Sequence, residues 1–330
     1  MLQTSDNWRI MKKLIIQIPC YNEEGTLAAT LAELPRQIPG IDAIEWLVID
    51  DGCTDRTVEV ALKHGVDHVV RIPRNKGLAN AFTSGIQACI AAGADIIVNT
   101  DADNQYCAAD IPLLVAPILN GNAEIVIGAR PIDKIEHFSA IKKMLQKFGS
   151  WIVRITSNTD ILDAPSGFRA ISRNAAMQLR VFNQYTYTLE TIIQAGLKGM
   201  VIVSVPIRTN GDLRPSRLVK SITSYVRRSI FTILRIFMTY KPLRCFAIPG
   251  FISFAIGFLI GLRFLYYYWT GGGSGHVQSL MLAVLLLGTG FFLTVAGLMA
   301  DLVSVNRRLL EKIDWRVQKI EEKLGIFKNE

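Results

Sequence analysis

Over the first 130 positions, apolar and polar residues fall into blocks with two different periods. Short runs at 14–18, 44–49, 68–72, 96–99 and 124–127 are β-branched, almost continuously apolar and bounded by turn residues. That is the pattern of strands buried on both faces. Between them, residues 26–34, 54–64, 78–92 and 111–119 repeat their apolar positions at helical spacing. Asp110 ahead of Ile111-Pro112 predicts a helix start, with Asp110 as the N-cap and a proline in the first turn. Strands alternating with helices predict a mostly parallel sheet covered on both faces. Residues 131–213 are less regular and are expected to complete this domain with substrate-facing segments.

The pattern then changes character. On a helical wheel, Arg217, Lys220, Arg227, Arg228 and Arg235 share an arc of about 100°, opposite Leu218, Val219, Ile222, Val226, Ile233 and Phe237. This predicts a basic amphipathic helix on a membrane surface. Residues 245–262 and 279–300 carry no charge, and each is about the 20 apolar residues a bilayer-spanning helix needs. Tyr266-Tyr267-Tyr268-Trp269 suits an interfacial belt, and the glycine-rich stretch 270–278 suits a hairpin turn without Lys or Arg. Arg235, Lys241 and Arg244 precede the first span, and Arg307 and Arg308 follow the second. The positive-inside rule therefore predicts an integral membrane protein with the N-terminal domain and both termini cytoplasmic. Arg263 is expected to snorkel to the outer interface. Leu309, Ile313, Val317, Ile320 and Leu324 form a stripe on a further amphipathic helix. Gly257 and Gly261 form a GxxxG that permits close helix packing, and it or the C-terminal helix is a possible route to a homo-oligomer. The expected organisation is a catalytic domain at 1–213, juxtamembrane helices at 214–242, a two-helix transmembrane hairpin at 243–303 and a C-terminal amphipathic helix at 304–330.

Composition adds little beyond this. Hydrophobic residues are 50% of 330 and mean hydropathy is +0.29; the two spans are the cause. The net charge of +8 gathers beside them, which favours anionic membrane lipids over nucleic acid. The first nine residues have no apolar core of their own and do not read as a signal peptide. Five cysteines without paired spacing read as reduced thiols. His64 and His68 are separated by Gly65 and a strand start, so they do not read as a metal site.

Candidate chemistry lies where the strands end. The clusters are Ile18-Pro-Cys-Tyr-Asn-Glu-Glu24, Ile49-Asp-Asp-Gly-Cys-Thr-Asp55, Arg74-Asn-Lys-Gly-Leu-Ala-Asn80 and Thr100-Asp-Ala-Asp-Asn-Gln-Tyr106. Parallel strands collect their carboxyl ends at one edge, where open α/β sheets bind ligands. Asp101 and Asp103 suit a hard cation, since Mg²⁺ is held by one or two carboxylates plus substrate phosphates.

These clusters resemble the GT-A glycosyltransferases of family 2. With its C-terminal tail the chain resembles, more narrowly, the polyprenyl-phosphate glycosyltransferases: the dolichyl-phosphate mannose synthase-like and bacterial undecaprenyl-phosphate enzymes. The resemblance covers the chain after the first dozen residues. It implies a Rossmann-like GT-A domain followed by the membrane helices. It also implies inverting transfer of a sugar from a nucleotide sugar, such as UDP-glucose or GDP-mannose, to a polyprenyl phosphate at the cytoplasmic face. Pro19, Tyr21, Glu23, Asp50, Asp51, Lys76 and Asp101 are thereby expected to hold the nucleotide sugar. Asp101, Asp103 and Gln105 are expected to hold Mg²⁺ or Mn²⁺. Gly128-Ala-Arg130 and Asp163-Ala-Pro-Ser-Gly-Phe-Arg169 resemble acceptor-side motifs, and 208–217 resembles the segment that closes over the diphosphate. Asp163, Arg130 and Arg214 are thereby the implied catalytic residues. Arg130, Lys143, Ser166, Arg169, Ser216 and Arg217 are the implied acceptor-phosphate contacts, with Lys142 beside Lys143. Asp163 is either a base or a group that orients the acceptor or Arg169. Cys53 stands where the family pattern has Ser, and Asn104 and Tyr106 stand where it often has Gly and His. A processive polysaccharide synthase is disfavoured because no Gln-x-x-Arg-Trp is present. Transfer to another membrane lipid and a catalytically silent nucleotide-sugar-binding module are the alternatives.

Overall fold

The computed structural model describes residues 12–131, 150–151, 153–154, 157, 159–181, 187–211, 231, 234–235, 238–271 and 273–324. The chain divides into two compact units, Met1–Ser229 with Trp315–Glu330, and Ile230–Asp314.

The first unit is built on seven strands: β1 (Lys13–Cys20), β2 (Ala43–Asp51), β3 (His68–Ile72), β4 (Ile96–Asn99), β5 (Ile125–Ala129), β6 (Arg169–Ser172) and β7 (Ile202–Pro206). Its helices are α1 (Leu27–Glu33), α2 (Thr57–Lys63), α3 (Leu78–Ala91), α4 (Ile111–Leu119), α5 (Arg173–Gln178) and α6 (Thr188–Leu197). The sheet order is β3-β2-β1-β4-β6-β5-β7. All neighbouring strands run parallel except β6, which lies antiparallel between β4 and β5. This is the mostly parallel GT-A-like sheet expected.

The core follows from the apolar runs. Leu14, Ile16 and Ile18 of β1, Val48 of β2 and Val98 of β4 pack with Leu27, Leu31, Ile111 and Leu114 from the helices, all essentially buried. Gly85 lets α3 lie on the sheet: a Cβ there would stand 2.5 Å from Gln17 Oε1 and 2.7 Å from Ile49 Cδ1.

One helix start differs from expectation. Asp110 occupies the N-cap position of α4 but caps nothing with its side chain. Its carboxylate accepts hydrogen bonds from Arg208 N, Nε and Nη2 at 2.6, 2.9 and 2.5 Å instead. A charged donor fork outcompetes a backbone amide for the same oxygens.

The second unit holds α7 (Pro242–Trp269) and the long α8 (Val277–Leu324) as far as Asp314, and each helix is long and apolar enough to cross a membrane. Four glycines make the seam between them. A Cβ on Gly250 would stand 2.9 Å from Thr294 Oγ1, and one on Gly257 2.9 Å from Leu286 Cβ. On the other helix, a Cβ on Gly290 would stand 2.6 Å from Gly250 O, and one on Gly297 3.1 Å from Phe246 Cβ. The GxxxG glycine Gly257 is thus used inside the hairpin, while a Cβ on Gly261 would stand 4.0 Å from Ala283 Cβ, in ordinary contact. The second span and the C-terminal amphipathic stretch, expected as separate elements, are one continuous helix. The basic helix expected at 216–240 lies largely outside the described residues.

Candidate active site

The strand ends meet because hydrogen bonds lace them together. Glu23 N donates to Thr57 Oγ1 at 2.8 Å, and Asn22 N to Cys53 Sγ at 3.2 Å, joining the first cluster to the second. Asp51 accepts from Lys76 N and Gly77 N at 2.8 and 2.9 Å, joining the second to the third. Gly52, at φ +72°, makes that approach possible: a Cβ would stand 2.6 Å from the backbone of Arg74 and Asn75. Thr30 Oγ1 donates to Ala102 O at 3.0 Å, tying α1 to the fourth cluster.

Along the nucleotide side, Pro19 is buried in β1, Tyr21 and Lys76 are exposed and Glu23 is partly buried. Asp50 is nearly buried and accepts from Cys53 N at 2.7 Å. Asp51 is committed to the backbone of the third cluster, so its part is to shape the loop.

Asp101 and Asp103 follow β4 directly. Burial, and then the charge of Asp103, push the Asp101 carboxyl well above the ordinary carboxylate range, against the pull of Arg130 and Arg169. Two carboxylates under mutual repulsion are a hard, anionic oxygen set, and a divalent cation fits it. Among the described residues no group of three or more His, Cys, Asp or Glu gathers. The Gln105 amide donates to Asp103 Oδ1 at 3.3 Å.

The acceptor-side motif arrives at the same edge because β6 runs antiparallel and presents its beginning there. Gly167 lies against Asp101: a Cβ on it would stand 3.2 Å from both carboxylate oxygens. Asp163, essentially buried, is gripped by Arg130 through Nε at 2.7 Å, Nη2 at 3.0 Å and the backbone amide at 3.3 Å. Of the alternatives open for Asp163, a base or a group orienting the acceptor or Arg169, none named Arg130, which is the partner it has. With both oxygens held by a guanidinium, Asp163 is placed to orient Arg130 and poorly placed to take a proton.

Arg169 and Ser166 depart from the acceptor-contact expectation. Arg169 is fully buried, donates to Ser166 O, Ala164 O, Thr188 O and Thr191 Oγ1, and lies over the Tyr187 ring. Nη1 ties it to Thr188 and Thr191 of α6 and Nη2 to the carbonyls of the 163–169 loop, while Nε is buried without a hydrogen-bond partner. The Ser166 hydroxyl is also buried and has no hydrogen-bond partner. Lys142, Lys143, Arg214, Ser216 and Arg217 lie outside the described residues.

Beneath the carboxylates runs a buried polar network not singled out in the sequence. Asn99 Nδ2 donates to Gly167 O and Tyr187 Oη, both at 2.9 Å, and Gln17 Nε2 donates to Asn99 Oδ1 at 2.8 Å. Tyr187 stacks on Phe82 with centroids 3.8 Å apart. A polar Asn ending an otherwise apolar strand was the one available signal. The three departures from the family pattern have physical accounts. Asn104 sits at φ +57°, a left-handed conformation that suits Gly or Asn. The Cys53 sulfur accepts the Asn22 amide as a hydroxyl would, and burial pushes its thiol up to about 11. Tyr106 turns inward, stacks on Phe168 and accepts from Gly167 N at 3.1 Å.

Residues 15–185 match the model of glycosyl transferase family 2. The chain belongs to that family. As a family 2 glycosyltransferase it has relatives at modest identity. It is 29% identical over 220 residues to the UDP-N-acetylglucosamine–dolichyl-phosphate N-acetylglucosaminyltransferase of Methanococcus voltae, covering 60% of this chain and 86% of that protein. It is 28% identical over 205 residues to the undecaprenyl-phosphate mannosyltransferase of Micrococcus luteus, covering 59% and 82%. Its fold is similar to that of glucosyl-3-phosphoglycerate synthase from Mycobacterium tuberculosis bound to phosphoglyceric acid. There the TM-score is 0.54 at 22% identity, over 68% of this chain and 80% of that one. The same synthase with Mn²⁺, UDP-glucose and phosphoglyceric acid superposes at 0.50 and 20% identity, over 67% and 79%.

Proposed function

We propose that this family 2 glycosyltransferase moves a sugar from a nucleotide sugar to a polyprenyl phosphate at the cytoplasmic membrane face, with inversion at the anomeric carbon. The observation that carries this reading is the meeting of Asp101 with the loop 163–169 at one sheet edge, in a chain with two helices long enough to span a membrane. The printed activities of the two polyprenyl-phosphate relatives support the acceptor class. The positive flanks of the spans support the membrane face.

In this reading Asp101, Asp103 and the Gln105 oxygen hold Mg²⁺ or Mn²⁺ together with the donor diphosphate, and the Mn²⁺ in the structural neighbour supports the cation. When bound, the ion offsets the negative charge that grows on the leaving diphosphate. The first three clusters hold base and ribose. An acceptor phosphate oxygen attacks the anomeric carbon as the sugar–phosphate bond breaks, giving a polyprenyl-phosphate-linked sugar and a nucleoside diphosphate. A phosphate monoester has a second pKa of about 6 and is largely dianionic at neutral pH, so no base is required. That agrees with an Asp163 already engaged by Arg130. Arg130 Nε and Nη2 face Asp163, and in this reading Nη1 donates to an incoming phosphate oxygen. Lys143, Arg214, Ser216 and Arg217 are proposed to complete the acceptor site.

The test incubates the full chain in nanodiscs with labelled UDP-glucose, GDP-mannose and UDP-N-acetylglucosamine, with undecaprenyl phosphate, dolichyl phosphate, diacylglycerol or ceramide as acceptor, with and without EDTA. Organic-phase product that disappears with EDTA and in Asp103→Ala is expected. Product unaffected by either overturns the metal assignment. No product with any donor favours the silent module, and product only with diacylglycerol or ceramide overturns the acceptor class.

A further inference from the structure

Glu33 is the last residue of α1, and its two oxygens bind two different parts of the site's framework. Oε1 accepts from Asn104 Nδ2 at 3.0 Å, and Oε2 accepts from Asn210 Nδ2 at 3.1 Å. Asn104 is the left-handed residue directly after Asp103. Asn210 belongs to the short segment after β7 that is zipped onto the same loop. There, Asn210 N donates to Gln105 O at 2.9 Å, Tyr106 and Thr209 form an antiparallel bridge, and Cys107 N donates to Arg208 O at 3.4 Å. The segment's other end is fixed by the three hydrogen bonds from Arg208 to Asp110.

We propose that Glu33 is a positioning residue for the metal loop. One carboxylate holds Asn104 from one side and, through Asn210, holds Gln105 from the other, so that the 103–105 backbone presents Asp103 and Gln105 in one geometry. A left-handed non-glycine residue needs its surroundings to over-determine it. A tether on its own side chain does that, and a glycine at this position could not be tethered. Only an acceptor with two free oxygens serves both amides. Gln at position 33 keeps one oxygen and turns a donor toward the second amide. This inference rests on the metal reading above, and its test separates the two.

Hydrogen–deuterium exchange on the full chain in nanodiscs reads the loop directly, through peptides covering 99–110 and 204–211. In Glu33→Ala both peptides are expected to exchange about fivefold faster, with Glu33→Gln intermediate. Asn104→Gly relieves backbone strain yet removes the tether, so exchange in 99–110 is expected to rise while 204–211 stays near wild type. Mn²⁺ half-saturation, read by electron paramagnetic resonance of free Mn²⁺ with UDP present, is expected to weaken about fivefold in Glu33→Ala at an unchanged thermal midpoint. Exchange in Glu33→Ala matching wild type overturns the proposal, as does wild-type behaviour of Asn104→Gly in both peptides. If wild type binds no Mn²⁺, the metal reading fails while the exchange data still decide whether Glu33 braces the loop.

Discussion

Replacing Asp163 by Asn separates a base from an orienting counter-ion. Its side chain is 1% exposed, that of Arg130 is 13% exposed, and three hydrogen bonds join the two residues. Breaking a buried ion pair by removing one partner costs about 3–5 kcal/mol. Asn keeps the shape and one accepting oxygen, which returns about 1 kcal/mol. Asp101 continues to offset part of the Arg130 charge. The remaining effect is about 2–3 kcal/mol, and if it falls on the transition state it lowers kcat/KM by about 30- to 150-fold. Asp103→Asn, which removes a charged ligand of the proposed cation, is expected to cost about 10³-fold. The assay is organic-phase product formation across pH 5 to 8. The acid limb should persist in Asp163→Asn, because the acceptor's second ionisation near pH 6 sets it. Loss of that limb, or a larger defect than Asp103→Asn shows, would refute the orienting role.

Further outcomes follow from geometry elsewhere. Gly167→Ala places a methyl 3.2 Å from both Asp101 oxygens and 3.1 Å from Tyr187 Oη; Mn²⁺ titration should show roughly tenfold weaker binding with the fold retained. Partial burial pushes the Glu45 carboxyl up, but hydrogen bonds from Lys13 and His68 outweigh it and hold the group below its ordinary value. Its stabilisation is therefore complete above the unfolded value of about 4.3 and is lost as pH falls through the lower folded value. Glu45→Gln should flatten the fall of thermal midpoint with acid, and an unchanged slope would contradict this. Gly257→Leu should sharply lower the melting temperature of the hairpin in nanodiscs while Gly261→Leu leaves it nearly unchanged; equal effects would contradict the seam described.

Much of the donor half was legible in the sequence. The strands at 68–72 and 96–99 match the structure residue for residue, because short β-branched runs between turn residues have one compatible local structure. The acceptor half was not. Arg169-Ala-Ile-Ser is four residues long, and its place between β4 and β5 depends on partners about 70 and 45 positions away. Without that insertion Arg169 reads as a phosphate ligand, since an arginine in a polar motif usually faces solvent. Once inserted, it is sealed under Tyr187 and Thr188–Thr191 and becomes a strut. Asp110 misled for a related reason: capping is a local rule, and Arg208 lies 98 residues away. Glu33 gave no local signal, as an acidic residue at a helix end is ordinary.

The reversed direction of β6 has a consequence for how such an enzyme can be altered. Among the described residues, β1–β4 and the loops that follow them form one wall of the site, and Arg130, the loop 163–169 and the segment 207–210 form the other. Within the sheet the two walls are stitched by a single ladder in which Ile96–Asn99 pair with Arg169–Ser172. In the proposed function, donor and acceptor groups therefore come from different stretches of chain. A chimaera that keeps this ladder, the Asn99 bonds to Gly167 and Tyr187 and the 207–210 segment bonded to Glu33, Gln105 and Asp110 is expected to exchange the rest of one wall for that of a relative and leave the other's geometry standing.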